Sequence, residues 1–479
     1  MGKKSGTVLM AKFKYQEIQQ DIELAIESGV FNDAIPSVRR YAKEKSVSIS
    51  TVQKAYEALE LAGKIFAKPQ KGYFIRQQQS QIKSVYGDIY HQVSTDNMLQ
   101  QKVLYSLNDE RVLPLSSTAP SSVLNNEVLL KKHHRKGFDP SIFKFHFEDE
   151  VQGSAKLRQS LSQYLFRQGF VCEPEQLHIN AGRKEGLFVA LVAAQALGGK
   201  VAVESPTSFF FQTVLQKLCK EVIEIPMQDD YESELALLDS AQTQVGFNTY
   251  LVNPSFNDPT GRVLSENDKL ALIKWATNKG VVLIEYDRSE LYFGDIRPKS
   301  LAQLASDVPG ARVISICDFF DTISSRVCLG YVIGINMNER LLNAKLTTTE
   351  EPNLHTQNLI HSLIKSGEYD KLVVKLRHQL YKNYLSTLKI LKQHIPDNLH
   401  FNVINGGPCL WFYLHDGSSI ALWDKLIKLG IAIAPGSMFS FEQNYEEYFR
   451  ITFALPWNNQ LALSIRNLCL VASDFNKQN

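Results

Sequence analysis

Three acidic residues in the second half of the chain, Asp258, Glu285 and Asp321, stand at or just beyond the ends of apolar, strand-like segments. Carboxylates that converge inside a protein must find cationic partners or take up protons. The partners can belong to the chain itself, or they can be a cationic ligand or an oxygen-preferring ion such as Mg²⁺. Three acids on three loops are far less specific than a metal-binding motif, so we favour internal pairing and predict no metal site.

Cations that could provide this pairing occur in the same part of the chain. Arg183 and Lys184 follow a glycine turn at the start of a predicted helix, and Arg288 lies three residues after Glu285. The basic pair would also suit a small anion, because the N–H groups and the dipole at a helix N-terminus favour negative charge. The sequence therefore predicts a cavity that contains charges of both signs.

The elements that must position these residues alternate between helical and strand-like patterns from Leu113 to the C-terminus. This alternation predicts an α/β body with a mostly parallel central sheet. The predicted strands include the runs 201–205, 250–252, 281–285, 313–317 and 329–333. Ligands of such sheets bind at the carboxyl ends of the strands, so the three acids should line one cavity.

The first 76 residues have a different pattern, which reads as helix, helix, turn, helix and β-wing. Ile18, Ile22 and Ile26 recur at helical spacing, Pro36 opens a short second helix, and Ser48 opens a third. The inner face of the third helix is predicted to carry Val52, Ala55, Tyr56 and Leu59. This order of elements is the one that places a helix in the major groove of DNA.

The distribution of charge agrees with a polyanionic partner for the N-terminal part. Residues 1–76 contain 13 Lys and Arg against 8 Asp and Glu, whereas the remainder contains 39 against 42. No run of about 18 apolar residues is present to span a membrane, and the N-terminus lacks the apolar core of a secretion signal. The six cysteines are scattered without metal-ligand spacing, which suits a reducing cytoplasm.

The N-terminal part resembles the GntR-type winged helix-turn-helix. Residues 35–39, Ile-Pro-Ser-Val-Arg, match its signature Leu-Pro-Ser-x-Arg, and Val47, Ser48, Thr51 and the late Gly72 also match. Ile49 departs from the family, which often has arginine there. The alternative is a helical dimerisation module that does not touch DNA. The resemblance implies DNA contacts from these residues: Arg39, Ser48, Ser50, Thr51, Gln53, Lys54, Lys71 and Gly72.

The body resembles aminotransferases of fold type I, which use pyridoxal phosphate (PLP) and have a smaller α/β C-terminal subdomain. The matching segments follow in the family's order: Leu157–Arg158, the Gly182 turn, 204–207, 258–261, 285–291, the loop at Asp321, 435–439 and Arg450. With the winged helix in front, the whole chain resembles the MocR-type regulators, a GntR subfamily. We predict a DNA-binding domain over 1–76, a linker over 77–112 and an effector and dimerisation domain over 113–479.

The resemblance assigns a PLP-type pocket in which five positions are altered. Asp321 stands at the Schiff-base lysine, Cys328 at the phosphate arginine, and Glu285 at the pyridine aspartate. Asp258 replaces the asparagine that donates to the ring oxygen, and Ser208 replaces the stacking tyrosine. Arg450, which in the family grips the substrate carboxylate, is unchanged. The remaining candidate pocket residues are the neighbours that could substitute for the lost groups: Phe209, Arg183, Lys184 and Arg326.

These patterns predict a cytoplasmic, homodimeric transcriptional regulator whose body is a pseudo-aminotransferase without catalytic residues. We expect the body to sense a small-molecule effector without covalent PLP, while non-covalent PLP or a related ligand stays open as a cofactor. Two alternatives are an aminotransferase that uses non-covalently bound PLP and a constitutive DNA-binding dimer without an effector. His133 and His134 lack a ligand pattern and are expected on the surface.

Overall fold

The computed structural model describes residues 14–27, 30–31, 34–61, 64–68, 72–75, 98–136 and 151–477. The chain divides into two units, Met1–Thr95 and Asp96–Asn479. The predicted wing residue Lys71 and the first part of the predicted linker, residues 77–97, lie outside the described residues. Across the described ranges, no helix is both long enough and apolar enough to cross a membrane.

The N-terminal unit has the predicted order of elements. Its helices are α1 (Lys14–Glu27), α2 (Val38–Glu44) and α3 (Ile49–Leu61), and its strands are β1 (Ala34–Ile35), β2 (Ile65–Lys68) and β3 (Gly72–Ile75). The three strands pair in the antiparallel order β1-β3-β2. The prediction of three helices followed by a wing is confirmed.

The core of this unit is built from the residues that helical spacing places on inner faces. The buried apolar side chains of the three helices are Ile18, Ile22, Tyr41, Ala42, Val52, Ala55, Tyr56 and Leu59. The hydroxyl of Tyr56 donates a hydrogen bond of 2.7 Å to the carbonyl oxygen of Pro36. This bond ties the middle of α3 to the segment that precedes α2.

The body begins with α4 (Met98–Ser106), which lies inside the predicted linker 77–112 and packs into the core of the body through Val103. Helix α5 (Glu127–Lys136) follows, and the body is organised around a large sheet. Its strands are β4 (Leu177–Asn180), β5 (Lys200–Ser205), β6 (Glu221–Pro226), β7 (Thr249–Val252), β8 (Val282–Tyr286), β9 (Val313–Asp318) and β10 (Gly330–Ile335). They lie in the order β4-β10-β9-β8-β7-β5-β6. Six of these seven strands run in the same direction, and β10 runs in the opposite one. The prediction of a mostly parallel sheet is therefore confirmed.

Helices cover both faces of this sheet. One face carries α6 (Ala155–Arg167), α10 (Glu266–Lys279), α11 (Leu301–Ala305) and α13 (Leu354–Lys365), and the other carries α7 (Arg183–Ala193), α8 (Phe209–Leu218) and α12 (Asn338–Thr348). Helix α9 (Tyr231–Val245) packs beside β6. Because side chains of a strand alternate between faces, Leu283 joins the core of the first face and Ile284 and Tyr286 join the core of the second.

The C-terminal part forms the smaller subdomain. The long helix α14 (Glu368–His394) leads into β11 (Leu399–Phe401), β12 (Cys409–Leu414), α15 (Ser419–Ile427), β13 (Ala434–Pro435), β14 (Tyr448–Thr452) and α16 (Asn459–Ser473). The strands pair in the antiparallel order β11-β12-β14-β13, and their apolar side chains share a core with α14, α15 and α16. The carboxyl-end loops of the large sheet and strand β14 together build the candidate pocket.

The expectation that His133 lies on the surface is wrong. Its side chain is fully buried, and its ring nitrogens contact the hydroxyl of Ser362 at 2.8 Å and the carboxylate of Glu368. His134 is exposed, and its Nδ1 lies 2.8 Å from Nε2 of His355. Within the described residues, no cluster of His, Cys, Asp and Glu could hold a metal ion. His133 therefore joins α5 to Ser362 on α13 and to Glu368 at the start of α14.

Candidate functional site

The predicted DNA-contacting side chains lie around the exposed face of α3. Arg39, Ser48, Ser50, Gln53 and Lys54 are exposed, whereas Thr51 is half-buried. Such an arrangement exposes amide, hydroxyl and cationic groups of the kinds that contact bases and phosphates. The amide of Gln53 also donates to Glu57 over 3.3 Å within α3. In the wing, Gly72 has a φ of +100° with no atom within 4 Å of an added Cβ, so glycine serves its backbone conformation there.

The start of α3 is fixed by a cluster of hydroxyl groups. The Oγ atom of Ser48 accepts a hydrogen bond of 3.1 Å from the backbone N–H of Thr51 and lies 2.6 Å from that residue's hydroxyl. It also lies 3.0 Å from Oγ of Ser50. Ser48 therefore acts as the N-cap of α3 and sets the orientation of the residues that follow. Ile49, where the family often has arginine, is about half exposed at 51%.

In the body, Asp321 is held by Arg288. Asp321 lies in the turn after β9, and Arg288 lies in the turn after β8. The Nε atom of Arg288 donates to Oδ2 of Asp321 over 2.9 Å, and the two side chains are only 3% and 7% exposed. The second carboxylate oxygen of Asp321 is buried and has no hydrogen-bond partner among the described residues. The predicted internal pairing of this acid is thus present, and Arg288 provides it.

Asp258 is held by Arg450, which reaches it from the smaller subdomain. The Nη1 atom of Arg450, on β14, lies 2.5 Å from Oδ1 of Asp258, in the loop after β7. The hydroxyl of Ser208 donates to the other carboxylate oxygen over 2.9 Å, and Nη2 of Arg450 donates to the carbonyl oxygen of Ser116. The guanidinium of Arg450 is completely buried. One ion pair therefore links the small sheet to the loop at the carboxyl end of β7 in the large sheet.

Arg183 occupies a third cationic position, between two aromatic rings. Its guanidinium carbon lies 4.0 Å from the ring centre of Phe210 and 4.2 Å from that of Phe320. Its Nη1 donates to the hydroxyl of Tyr286 over 3.2 Å, and that hydroxyl donates to Oδ2 of Asp318 over 3.0 Å. Stacking of a guanidinium on aromatic faces stabilises the charge away from water. Arg183 is therefore held in place by a cluster of rings and hydroxyls.

Four predicted pocket residues do not join these pairs. Glu285 alternates with Tyr286 along β8 and so points to the opposite face of the sheet, where its carboxylate accepts hydrogen bonds of 2.8 and 3.2 Å from the N–H groups of Leu301 and Ala302. The expected convergence of Glu285 with Asp258 and Asp321 is wrong, and Arg288, although close to Glu285 in sequence, pairs with Asp321. The other three residues, Lys184, Arg326 and Cys328, are exposed.

Phe209 lies against Arg450 and the adjacent aromatic residues. Its ring stacks on Phe210 with centres 4.4 Å apart and meets Phe439 edge-on at 5.7 Å. The guanidinium carbon of Arg450 lies 5.7 Å from the centre of the Phe209 ring and 4.9 Å from that of Phe439. This buried aromatic packing supports the cation that pairs with Asp258.

The electrostatic environments of the three acids differ. Burial raises the pKa of Asp321 to about 6 and Asp318 adds to the shift, while Arg288 and Arg183 oppose it. Burial also raises the pKa of Glu285 to about 7, with a further contribution from Asp287. Burial acts in the same direction on Asp258, but the charges of Arg450 and Arg288 outweigh it and hold the pKa below its usual value. Asp258 therefore carries the most secure negative charge of the three.

The residues present do not fit covalently bound PLP. A Schiff base needs an amine, whereas position 321 offers a carboxylate that is already engaged by a buried guanidinium. The arginine that the resemblance assigns to the substrate carboxylate, Arg450, is engaged by Asp258. The opposed charges of the pocket thus neutralise one another within the chain.

Several members of this network were not singled out from the sequence. Tyr286, Phe210, Phe320 and Asp318 were missed, although strict alternation along β8 would have placed Tyr286, rather than Glu285, on the face of α7. Phe210 and Phe320 are adjacent to named candidates, but no periodic signal distinguishes them from ordinary core residues. The sequence names Arg288 as a candidate cation, but it does not show that its partner is Asp321.

Two family models match the chain. Residues 14–75 match the bacterial regulatory proteins of the gntR family, and residues 144–294 match aminotransferase class I and II. The first match covers α1 to the end of β3, and the second covers much of the large sheet. The two predicted resemblances are thereby confirmed at the level of these families.

Similar proteins match this chain along most of their own length. The HTH-type transcriptional regulators YjiR and YdcR of Escherichia coli are each 26% identical to this chain, over 92% and 95% of it and over 95% and 98% of their own lengths. NorG, an HTH-type transcriptional regulator of Staphylococcus aureus, is 23% identical over 89% of this chain and 96% of its own.

Among solved structures, the α-aminoadipate aminotransferase LysN of Thermus thermophilus superposes with a TM-score of 0.70 at 20% identity, over 82% of this chain and 98% of its own. An archaeal alanine:glyoxylate aminotransferase gives 0.71 at 17% identity, over 82% of this chain and 98% of its own. At these identities the likeness shows the fold of the body. A gntR-family DNA-binding domain followed by an aminotransferase class I and II domain makes this chain a DNA-binding transcriptional regulator, with an organisation consistent with the MocR type.

Proposed function

We propose that the aminotransferase-like body of this regulator is non-catalytic, dimerises, and responds to a small molecule without forming a Schiff base with PLP. The observation that carries this proposal is the buried pair of Arg288 and Asp321. By the resemblance, Asp321 stands where PLP enzymes have their lysine, and a carboxylate cannot form an imine. Relatives that match along the whole chain are named transcriptional regulators, which also favours a regulatory body.

The candidate site contains buried polar atoms that support the binding of a ligand. Oδ1 of Asp321 and Nε of Arg450 are buried without hydrogen-bond partners among the described residues, as are the hydroxyls of Ser116 and Thr118. Leaving such groups unsatisfied costs about 1–3 kcal/mol each. A small polar molecule that reached them would gain those hydrogen bonds, and it would also compete for the ion pair between Arg450 and Asp258. Binding there would change how β14 is tied to the large sheet.

Dimerisation is proposed from the fold class and from the expected mode of DNA binding. Two copies that present α3 symmetrically would read two half-sites, as dimeric helix-turn-helix proteins do. An effector that binds the body of such a dimer would shift the population between forms of different DNA affinity. Sedimentation of the purified full chain should therefore give about twice the mass of one chain.

The test of the non-catalytic body uses the purified full chain with added PLP. After unbound PLP has been removed, we expect no aldimine absorption band and no stoichiometric adduct on a single lysine after borohydride reduction and mass spectrometry. A stoichiometric reduced adduct on one lysine would overturn the proposal in favour of the PLP-enzyme alternative, whereas low-level labelling spread over exposed lysines is the background reaction of the aldehyde. A PLP-dependent aminotransferase of the same fold, treated in parallel, shows that the reduction works.

Sensing is tested separately by thermal-shift screening with amines, amino acids, vitamin B6 forms and divalent metals. We expect at least one compound to raise the unfolding temperature of the body and to change affinity for operator DNA. If no compound does either, the regulator is a constitutive DNA-binding dimer. The two tests are independent, because a non-catalytic body can exist with or without an effector.

A further inference from the structure

Helix α14 exposes a stripe of positive charge along one face. The exposed side chains at alternating spacings of four and three residues are Lys371, Lys375, His378, Lys382, Leu385, Lys389 and Lys392. Residues four and three apart lie on the same side of a helix, so these side chains form one row. The opposite side of α14 is buried in the body: Leu372, Val373, Leu376, Leu380, Tyr384 and Leu391. We call the exposed row the α14 stripe.

Within the described part of the chain, the charge of the α14 stripe is not neutralised by carboxylates. The sequence has no Asp or Glu between Lys371 and His394. Among the described residues, no lysine of the stripe forms an ion pair with a carboxylate. The nearest acids along the helix are already paired, Asp370 with Arg167 at 3.0 Å and Glu368 with Lys132 at 2.7 Å. The stripe therefore presents five lysine charges to its surroundings.

This local excess contrasts with the rest of the body. Residues 77–479 contain 39 Lys and Arg against 42 Asp and Glu, so a row of lysines without an acid is not the average surface. Two adjoining depressions follow the row, one lined by Asp370, Lys371, Val374, Lys375, His378, Gln379 and Lys382 and the next by His378, Tyr381, Lys382, Leu385, Ser386 and Lys389. The one acid in these linings, Asp370, is the one that pairs with Arg167. Such a shallow, basic surface suits an elongated polyanion.

We propose that the α14 stripe binds the phosphate backbone of duplex DNA, in addition to the DNA-binding helix α3. From Lys371 to Lys392 the helix rises by about 32 Å at about 1.5 Å per residue. This length is close to one turn of B-DNA, about 34 Å. Flexible lysines act as point charges that bind phosphates without reading bases. The stripe would thus add affinity, but no sequence preference, to the binding of DNA.

DNA is favoured over an acidic protein because the same chain already binds DNA through its gntR-family domain. Once that domain is bound, flanking duplex is present near the molecule at high effective concentration. Contacts between lysines and phosphates that would be weak alone then contribute to the affinity for DNA. The large apolar members of the surface are few and only partly exposed, Val374 at 41%, Tyr381 at 46% and Leu385 at 46%. Three such side chains offer less apolar area than a protein interface of standard size needs.

The test measures binding of the full chain to a 60-base-pair duplex of mixed sequence between about 50 and 200 mM salt. The stripe variant carries Lys375→Gln, Lys382→Gln and Lys389→Gln. Each phosphate contact contributes about 0.9 to the slope of log affinity against log salt, so three contacts contribute about 2.7. Over this range the wild-type chain should therefore lose about 40-fold more affinity than the stripe variant.

A matched control removes the same charge elsewhere on the body, with Lys217→Gln, Lys220→Gln and Lys274→Gln at exposed positions outside the stripe. The control should keep the wild-type slope. Tryptophan fluorescence melting of each variant confirms that the body is folded. An unchanged slope in the folded stripe variant overturns the proposal. If sedimentation instead shows a changed oligomeric state with unchanged DNA binding, the stripe is an interface between copies, and the proposal is equally overturned.

A second measurement needs no substitution. Lysines of the wild-type chain are labelled with an amine-reactive reagent, with and without the 60-base-pair duplex, and mapped by mass spectrometry. DNA should slow labelling of Lys375, Lys382 and Lys389 severalfold, while Lys217 and Lys274 react as before. Equal labelling of both groups in the presence of saturating DNA would rule out phosphate contacts at the stripe.

Discussion

The Nε atom of Arg288 lies 2.9 Å from Oδ2 of Asp321, and both side chains are almost completely buried. The two residues come from neighbouring strand ends, since β8 and β9 are adjacent and parallel in the sheet. Their pairing offsets much of the free-energy cost of burying the two charges. The loops after β8 and β9 are therefore joined by an ion pair within the chain. In a ligand-binding site, such charged groups would usually be kept for the ligand.

Replacing Asp321 by Asn should destabilise the body strongly. The buried guanidinium of Arg288 would lose its counter-ion, which typically costs about 3–5 kcal/mol. Urea unfolding followed by tryptophan fluorescence measures the effect on the body, because all four tryptophans lie there: Trp275, Trp411, Trp423 and Trp457. The double variant Arg288→Met and Asp321→Leu should be more stable than the single one, because an apolar pair leaves no unpaired charge. A loss below about 1 kcal/mol in Asp321→Asn would contradict the structure.

Asp258→Asn should weaken the connection between β14 and the large sheet. The completely buried Arg450 would keep its contact with Ser116 but lose its negative partner, for a similar cost of about 3–5 kcal/mol. The control is Asp424→Asn, because Asp424 pairs with Lys102 at 3.6 Å while both side chains are about half exposed. Such a surface pair contributes only about 0–1 kcal/mol. Equal effects of the two substitutions in urea unfolding would show that the buried pair is not formed.

The stability of the body should fall as pH rises towards 7, in part because of Glu285. Burial raises the pKa of this carboxyl from 4.5 to about 7, so between these values the folded chain binds a proton that the unfolded chain has lost. The favourable contribution is present below pH 4.5 and is lost as pH rises through 7. A shift of this size corresponds to roughly 3 kcal/mol. Glu285→Gln should flatten the free energy of unfolding between pH 5 and 7, and an unaltered pH profile would refute the assignment.

Arg39→Ala and Lys54→Ala should weaken DNA binding in different ways. With an operator selected from random duplexes, Arg39→Ala is expected to lower affinity on the order of tenfold or more. Lys54→Ala should reduce the salt slope by about 0.9, the contribution of one phosphate. Arg40→Ala is the neighbouring control, because the Arg40 guanidinium already bonds Glu44 at 2.8 Å. If operator affinity in Arg39→Ala and the salt slope in Lys54→Ala both stay at the wild-type values, these residues are not part of the DNA interface.

The overall fold was largely predictable, because it follows from periodicity. The spacing of Ile18 and Ile22, and of Val52, Ala55 and Leu59, predicted the buried faces of α1 and α3. Apolar runs ending in polar residues predicted the strands of the large sheet. Both signals depend only on which residues avoid water, and a single sequence contains that information.

The pairing within the pocket was predictable only in outline. The need of Asp258 and Asp321 for cations follows from charge, but the choice of partner depends on which strands are neighbours and which way each side chain points. A one-residue difference along β8 separates Glu285 from Tyr286 and moves them to opposite faces. Likewise, Arg183 and Lys184 are adjacent in sequence, yet only Arg183 lies between the aromatic rings.

The buried guanidinium of Arg288 also limits which side chains position 321 can accept. A lysine introduced at position 321 would bring an ammonium group against a buried cation that has lost its counter-ion, and two such groups cannot both stay charged there. A lysine at position 321 would therefore require a change of Arg288 at the same time. A single substitution at position 321 cannot supply an amine without leaving two unpaired cations in the interior.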